Sequence, residues 1–261
     1  MLYYAVLRCL AILKKFQSIT MSTPIQIGLC ILLVFCSCSS QKTIVIHDNL
    51  ALKKVLKYQE DFEKGLENWG VEQMEGGTVR TANGKMEITD VAGCTVWFKQ
   101  QLAAPLLIEY DVVVIDQDGP QDRVSDLNCF WLATDPQHPQ DFFAGSQERQ
   151  GKFKDYNPLQ LYYVGLGGHN NTKTRFRRYT GDGNKPLLPE HDLSAPEFLI
   201  TPNQINHIKI IAYDNFTQYY RNDVLIYDFV DSNPYTQGYF GIRTVNNHMQ
   251  VDNFRVYTLK N

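Results

Sequence analysis

Leu107-Ile108-Glu109-Tyr110-Asp111-Val112-Val113-Val114-Ile115 is the stretch that decides the fold. Its period is two. Ile108, Tyr110, Val112 and Val114 fall on one side and Glu109 and Asp111 on the other, as side chains do on a strand with one buried face. The same reading extends outward to Leu161–Leu166, to Ile208, Ile210 and Ala212, to Tyr239–Thr244 and to Val251–Leu259. Phe216–Tyr220 and Val224–Phe229 flank Arg221-Asn222-Asp223, a short polar turn suited to a hairpin. Many short strands separated by Gly, Asn, Asp and Pro predict an all-β sandwich of two antiparallel sheets. The alternating helices of a (β/α) barrel or a dinucleotide fold are missing from the pattern.

Composition narrows the function classes. The 261 residues carry 25 Lys plus Arg against 28 Asp plus Glu, a formal charge of −3, with 12% aromatics. Such a chain is globular, and it lacks the basic surplus that drives general nucleic-acid binding. No acidic residue precedes Asp48. The apolar run Ile25–Phe35 sits between Lys14-Lys15 and the small-residue cluster Cys36-Ser37-Cys38-Ser39-Ser40. Basic segment, short apolar core and small-residue exit describe a secretory signal. Cys38, preceded by small Ser37, suits lipidation better than Cys36, preceded by bulky Phe35. Residues 1–38 are therefore read as a lipoprotein signal, 39–57 as a tether ending in a short apolar or helical piece (Leu50–Leu56), and 58–261 as one domain. Plain secretion or an uncleaved anchor is the alternative. The expected location is the cell envelope, on the periplasmic or surface face of the outer membrane, with the lipid as the only membrane contact and a monomeric domain. Beyond the leader only Cys94 and Cys129 remain; they form one disulfide or stay as two buried thiols.

Two further patterns carry a family resemblance. Asp61-Phe62-Glu63…Leu66…Asn68-Trp69 with Gly84-Lys85-Met86-Glu87-Ile88, and Gly238-Tyr239-Phe240-Gly241-Ile242-Arg243 with Val251-Asp252-Asn253-Phe254-Arg255-Val256, are similar to the first and last hairpins of concanavalin A-like jelly rolls. The middle block Gly167-Gly168-His169-Asn170-Asn171-Thr172 with Arg175-Phe176-Arg177-Arg178-Tyr179 is more particular. Over residues 58–261 the chain resembles jelly-roll lipoproteins of Bacteroidetes polysaccharide-utilisation loci and, more distantly, YesU-type proteins of pectin operons. The resemblance implies a polysaccharide-handling jelly roll and assigns no residue a role.

Alternation sorts the candidate site. Phe176 points inward, so Arg175, Arg177 and Tyr179 share the outer face of their strand. Tyr163, Gly165 and His169 fall outward on the preceding strand, and Tyr239 and Arg243 on another. Either Phe130 or Trp131 faces out; Trp131 is carried as the candidate, with Asn170 and His248 as further binding residues. Three arginines in an acidic chain point to an anionic ligand, because guanidinium grips carboxylate in a bidentate fork, and the aromatic rings suit sugar faces. An acidic, pectin-like, uronate-containing polysaccharide meets both demands.

β-Elimination by a polysaccharide lyase is the leading expectation for that face, a carbohydrate-binding lipoprotein without chemistry the alternative and glycoside hydrolysis the second alternative. In β-elimination, Arg175 and Arg177 neutralise the uronate carboxylate while His169, or Tyr179 or Tyr163, removes the adjacent proton. The Arg-x-Glu-Leu and Gln-x-His motifs of jelly-roll alginate lyases are missing. Retaining hydrolysis needs two carboxylates about 5 Å apart, and only Glu109 and Asp111 offer an alternating pair. A carbohydrate-binding lipoprotein without chemistry is the remaining expectation. No cofactor is expected; Asp116-Gln117-Asp118-Gly119 with Asp122 and Asp126 is a candidate structural calcium loop without the EF-hand's terminal Glu.

Overall fold

The computed structural model describes residues 43–46 and 49–261. The leader and Cys38 lie outside the described residues. Among the described residues the strands are β1 (Thr43–Val45), β2 (Ala51–Glu60), β3 (Trp69–Gln73), β4 (Thr78–Ala82), β5 (Lys85–Asp90), β6 (Cys94–Ala103), β7 (Leu106–Val114), β8 (Leu127–Thr134), β9 (Gln160–Gly167), β10 (Lys173–Thr180), β11 (Asp192–Leu193), β12 (Asn206–Tyr213), β13 (Phe216–Arg221), β14 (Val224–Val230), β15 (Gln237–Thr244) and β16 (Asn247–Lys260). They form two antiparallel sheets. The back sheet runs β1-β2-β16-β7-β12-β13-β14, with β5 also on β16 and β4 on β5; the front sheet runs β11-β10-β9-β8-β15-β6-β3.

Period-two patterning explains the layers. Ile108, Tyr110, Val112 and Val114 of β7 and Ile208, Ile210 and Ala212 of β12 enter the core between the sheets, where Phe240 and Ile242 of β15 and Phe176 of β10 meet them. Each such side chain removed from water contributes about 1.5–3 kcal/mol. Rings lock the two layers together: Trp69 lies 5.2 Å from Phe98 and 5.0 Å from Phe254. The β13–β14 hairpin turns on Asn222 and Asp223, both at positive φ (50° and 65°), the conformation a tight two-residue turn demands.

Two expectations change and one open alternative is decided. Residues 51–57 are strand, not tether or helix: β2 pairs with β16 from Lys53↔Lys260 to Glu60↔Phe254. Leu52 anchors it, buried against Leu107, Ile211 and Leu259. Cys94 and Cys129 stay free thiols, because β15 lies between their strands; burial pushes the Cys129 thiol up to about 12. Trp131 points into the core, where its indole N–H donates to Thr217 Oγ1 of the back sheet at 3.0 Å. Phe130 is the outward residue of that pair.

Phe130 is nevertheless covered. Residues 135–159 leave β8, cross the outer face of the front sheet and return to β9 as a strap of short turns. Phe142 and Tyr156 of the strap lie on Trp97, at 4.9 and 6.2 Å, and Tyr156 stacks on Phe130 at 5.5 Å. A buried ionic clamp holds the strap. Arg149 bridges Glu72 of β3 (3.1 Å) and Asp135 (2.8 Å). Glu72 also accepts from Trp97 Nε1, Tyr156 Oη and Ser146 Oγ. Charge inside a protein is tolerable only when paired and hydrogen-bonded as fully as this. Among the described residues no helix is long and apolar enough to cross a membrane.

Candidate functional site

The register of the front sheet lays its outward residues in rows. One row reads Glu72 (β3), Thr95 (β6), Arg243 (β15), Asn128 (β8), Gly165 (β9), Arg175 (β10) and Asp192 (β11). The row beside it reads Gly70, Trp97, Gly241, Phe130, Tyr163 and Arg177. A polar row thus runs beside a largely aromatic one. The strap roofs the β6–β8 side of both. The β9–β10 side stays open as a cavity of about 410 Å³.

Five cationic side chains line that cavity: Arg123, Lys173, Arg175, Arg177 and Lys185, against one carboxylate, Asp126. Lys173, Arg175 and Arg177 are there because alternate residues of β10 share a face. Arg123 is already committed: it pairs with Asp126 (2.9 Å) and donates to Asn170 Oδ1 (2.8 Å). Arg175 forks onto Asp192, Nε to Oδ1 at 2.9 Å and Nη2 to Oδ2 at 3.2 Å. The Arg175 hydrogen bond holds the Asp192 carboxyl below the usual carboxylate range. Arg177 donates to the Lys185 carbonyl oxygen (2.5 Å) and meets no carboxylate. Lys185 reaches Asn157 Oδ1 (2.6 Å) and lies over the Phe153 and Tyr179 rings. Burial, then the neighbouring Arg177 charge, depress its ammonium pKa.

His169 and Arg175 are brought together as expected, but in an arrangement that turns the proposed base toward a donor. Arg175 Nη1 sits 2.6 Å from His169 Nε2. Guanidinium has donors only, so Nε2 is the acceptor and the ring proton is on Nδ1. In this arrangement the Nε2 lone pair faces Arg175. Tyr163 and Tyr179 line the same cavity, yet burial pushes both phenols well above their ordinary range. The shift favours the protonated phenol at both positions. Tyr179 Oη is buried with no hydrogen-bond partner. Gly165 is required beneath Tyr163, because a Cβ there would collide with the phenol oxygen.

The other predicted residues lie elsewhere. Asn170 reaches the rim only through Arg123. Arg243 is on the right face but lies under the strap, 1% exposed. Tyr239 stacks on Phe142 at 4.6 Å and borders a different cavity beside Gln101 and Gln160. His248, on the back sheet, bridges Asp122 (2.8 Å) and Glu87 (3.1 Å). The expected calcium loop spends its oxygens internally: Asp122 accepts from His248 and from the backbone N–H groups of Gln117 and Gly119. Among the described residues no group of three or more His, Cys, Asp or Glu side chains is placed to hold a metal. Glu109 and Asp111, on the outer face of the back sheet, pair with Lys54 and His207. Sequence reasoning missed Lys173, which extends the Lys173–Arg175–Arg177–Tyr179 alternation by one step and was legible. Arg123, Phe153 and Lys185 arrive from three loops and have no spacing signal.

Comparison with known proteins places the fold. A family model described as a domain of unknown function (DUF6250) matches residues 88–254, and the chain belongs to that family. No curated protein matches the chain. Among solved structures it is similar to a Bacillus subtilis protein of unknown function with a galectin-like fold, at 15% identity and TM-score 0.63, over 80% of this chain and 99% of that one. It is similar to the endo-β-1,3-glucanase of Pyrococcus furiosus, at 12% identity and TM-score 0.54, over 84% and 99%. It is also similar to β-agarase B of Zobellia galactanivorans, at 10% identity and TM-score 0.51, over 80% and 94%. At these identities the shared property is the jelly-roll fold.

Proposed function

We propose that this DUF6250 jelly roll binds an acidic saccharide, a uronate-bearing oligosaccharide of the pectin type, in the cavity between β9, β10 and the strap, and that it captures its ligand without cleaving it. The observation that carries the reading is the charge of the cavity: five cations line it beside Asp126, and with Asp192 pairing Arg175 and Lys173, Arg177 and Lys185 are left without an ion-pair partner among the described residues. Arg177 supports it most directly, since its guanidinium lines the cavity with no carboxylate of its own. Tyr163 adds a ring beside it. Two fold neighbours, a β-1,3-glucanase and an agarase by their descriptions, act on polysaccharides, and the resemblance to pectin-operon proteins favours an acidic one. The leader and Cys38 favour an exported, lipid-anchored protein of the cell envelope.

A lyase reading uses the same residues, with His169 as base. It is the weaker reading because His169 Nε2 accepts from Arg175 and burial raises the pKa of both phenols. Hydrolysis lacks its second carboxylate, and Asp126 is paired to Arg123. The test is calorimetric titration with trigalacturonate, with absorbance of an unsaturated product followed in parallel. Binding without product supports capture. Turnover abolished by His169→Ala, with affinity unchanged, supports the lyase instead. No binding and no turnover contradict both.

A further inference from the structure

Arg243 lies in the middle of the polar row, on β15, and its charge is unanswered. Its Nη1 donates to Thr95 Oγ1 (3.0 Å) and to the Gly151 carbonyl oxygen (2.8 Å). Its Nε and Nη2 are buried with no partner. Those two N–H bonds run side by side along one edge of the guanidinium, the edge that accepts a carboxylate in a bidentate fork. No carboxylate forms an ion pair with it among the described residues. The charge rests against two ring faces, Phe153 at 4.8 Å and Tyr156 at 5.0 Å. A guanidinium kept this deep with its fork idle is costly, and natural cores seldom carry one without a use for it. On the adjacent strand Asn128, Arg243's partner in register, has its Oδ1 buried and unpartnered as well.

Phe153 connects this buried group to the open cavity. Its ring lines the cavity wall and also covers Arg243. It is only half-buried. It follows Gly151, whose φ of +83° only glycine adopts freely, so the chain beside it is shaped for a turn. The row from Arg243 through Asn128 and Gly165 crosses two strand spacings, about 10 Å.

We infer that Arg243 is an inner anchor for the anionic ligand, reached when the Phe153 ring turns aside. The Nε–Nη2 fork takes a carboxylate, and Asn128 Oδ1 accepts a hydroxyl proton of the same sugar residue, while the outer cations hold the next residue of the chain. The inference deepens the proposed function and rests on it for the identity of the ligand.

The test is titration of the full domain with trigalacturonate and, separately, with acetate, in the wild type and in Arg243→Met, Arg243→Lys, Phe153→Ala and Arg177→Ala. Arg243→Met is expected to weaken trigalacturonate at least tenfold while raising the melting temperature, because an idle buried charge is removed. Arg243→Lys keeps the charge, loses the fork and is expected to weaken binding at least fivefold; it serves if the Met variant misfolds. Phe153→Ala is expected to tighten binding severalfold, which a purely structural Phe153 would not do. Trigalacturonate affinity within twofold of wild type in both Arg243 variants, with Arg177→Ala impaired, overturns the inner anchor and leaves the proposed function standing. Acetate uptake by Phe153→Ala that vanishes on adding Arg243→Met, without trigalacturonate binding by any variant, supports the anchor and overturns the sugar. Neither ligand binding to any variant overturns the anchor and the proposed function together.

Discussion

The two sides of the front sheet's outer face use the same rows of residues to opposite ends. On the β6–β8 side, Trp97 and Phe130 are roofed by Phe142 and Tyr156, Arg149 pairs with both Glu72 and Asp135, and Arg243 is buried beside them. On the β9–β10 side the strap stops short, and of the cations that line the cavity Arg123 pairs with Asp126 and Arg175 and Lys173 with Asp192, while Arg177 and Lys185 have no ion-pair partner among the described residues. The covered side is a second core, stable because it is paired and packed. The open side carries a surplus of positive charge at Arg177 and Lys185. The strap over residues 135–159 sets which part of the front face stays uncovered.

The largest expected effect breaks the covered side. Arg149→Ala leaves Glu72 and Asp135 buried without their cation, and stability falls by about 3–5 kcal/mol. Urea unfolding measures the loss, and limited proteolysis shows cleavage within residues 135–159. An unchanged midpoint would mean that the aromatic contacts alone hold the strap. On the open side Arg177→Ala costs about 1.5–3 kcal/mol of trigalacturonate affinity, the worth of one hydrogen bond to a charged group, with a folding change within about 0.5 kcal/mol. Equal losses of affinity and stability would make Arg177 a structural residue.

Between the two sides stands Gly165. Gly165→Ala forces the Tyr163 ring off its glycine and destabilises by about 1–3 kcal/mol, the usual cost of overpacking, and it reshapes the cavity. A crystal structure with Tyr163 unmoved would contradict the packing argument. The smallest effect is one of pH. Lys185 has its pKa depressed by burial and by Arg177, so its charge is lost as pH climbs through that lowered value. Affinity for an anionic ligand therefore begins to fall before the ordinary lysine range is reached. In Lys185→Arg the fall is absent; a fall of the same size in both proteins would assign it to another group.

The sandwich was legible because burial of one face imposes a period of two, and alternate residues of β7, β12 and β15 enter the core between the sheets. The β10 face was legible for the same reason: Arg175, Arg177 and Tyr179 share the cavity as alternation requires. The strap was not. Alternation says which side of a strand a residue faces, and nothing about whether a segment from elsewhere lies on top, so Arg243 read as exposed and is buried, and the outward Phe130 is roofed as well. Residues 51–60 misled for another reason. Their lysines and short apolar residues suit a helix as well as an edge strand, and only the tertiary partner β16 decides. Trp131 was undetermined by periodicity, and its indole found its hydrogen bond across the core at Thr217.

The central claim is that the uncovered part of the front face selects for negative charge. Calorimetric titration of the wild-type domain with trigalacturonate and with an uncharged trisaccharide of glucose tests it most directly. The account predicts saturable binding of the uronate that weakens on adding salt, and no measurable heat from the neutral sugar. Comparable binding of both sugars, or none of the charged one, would contradict it.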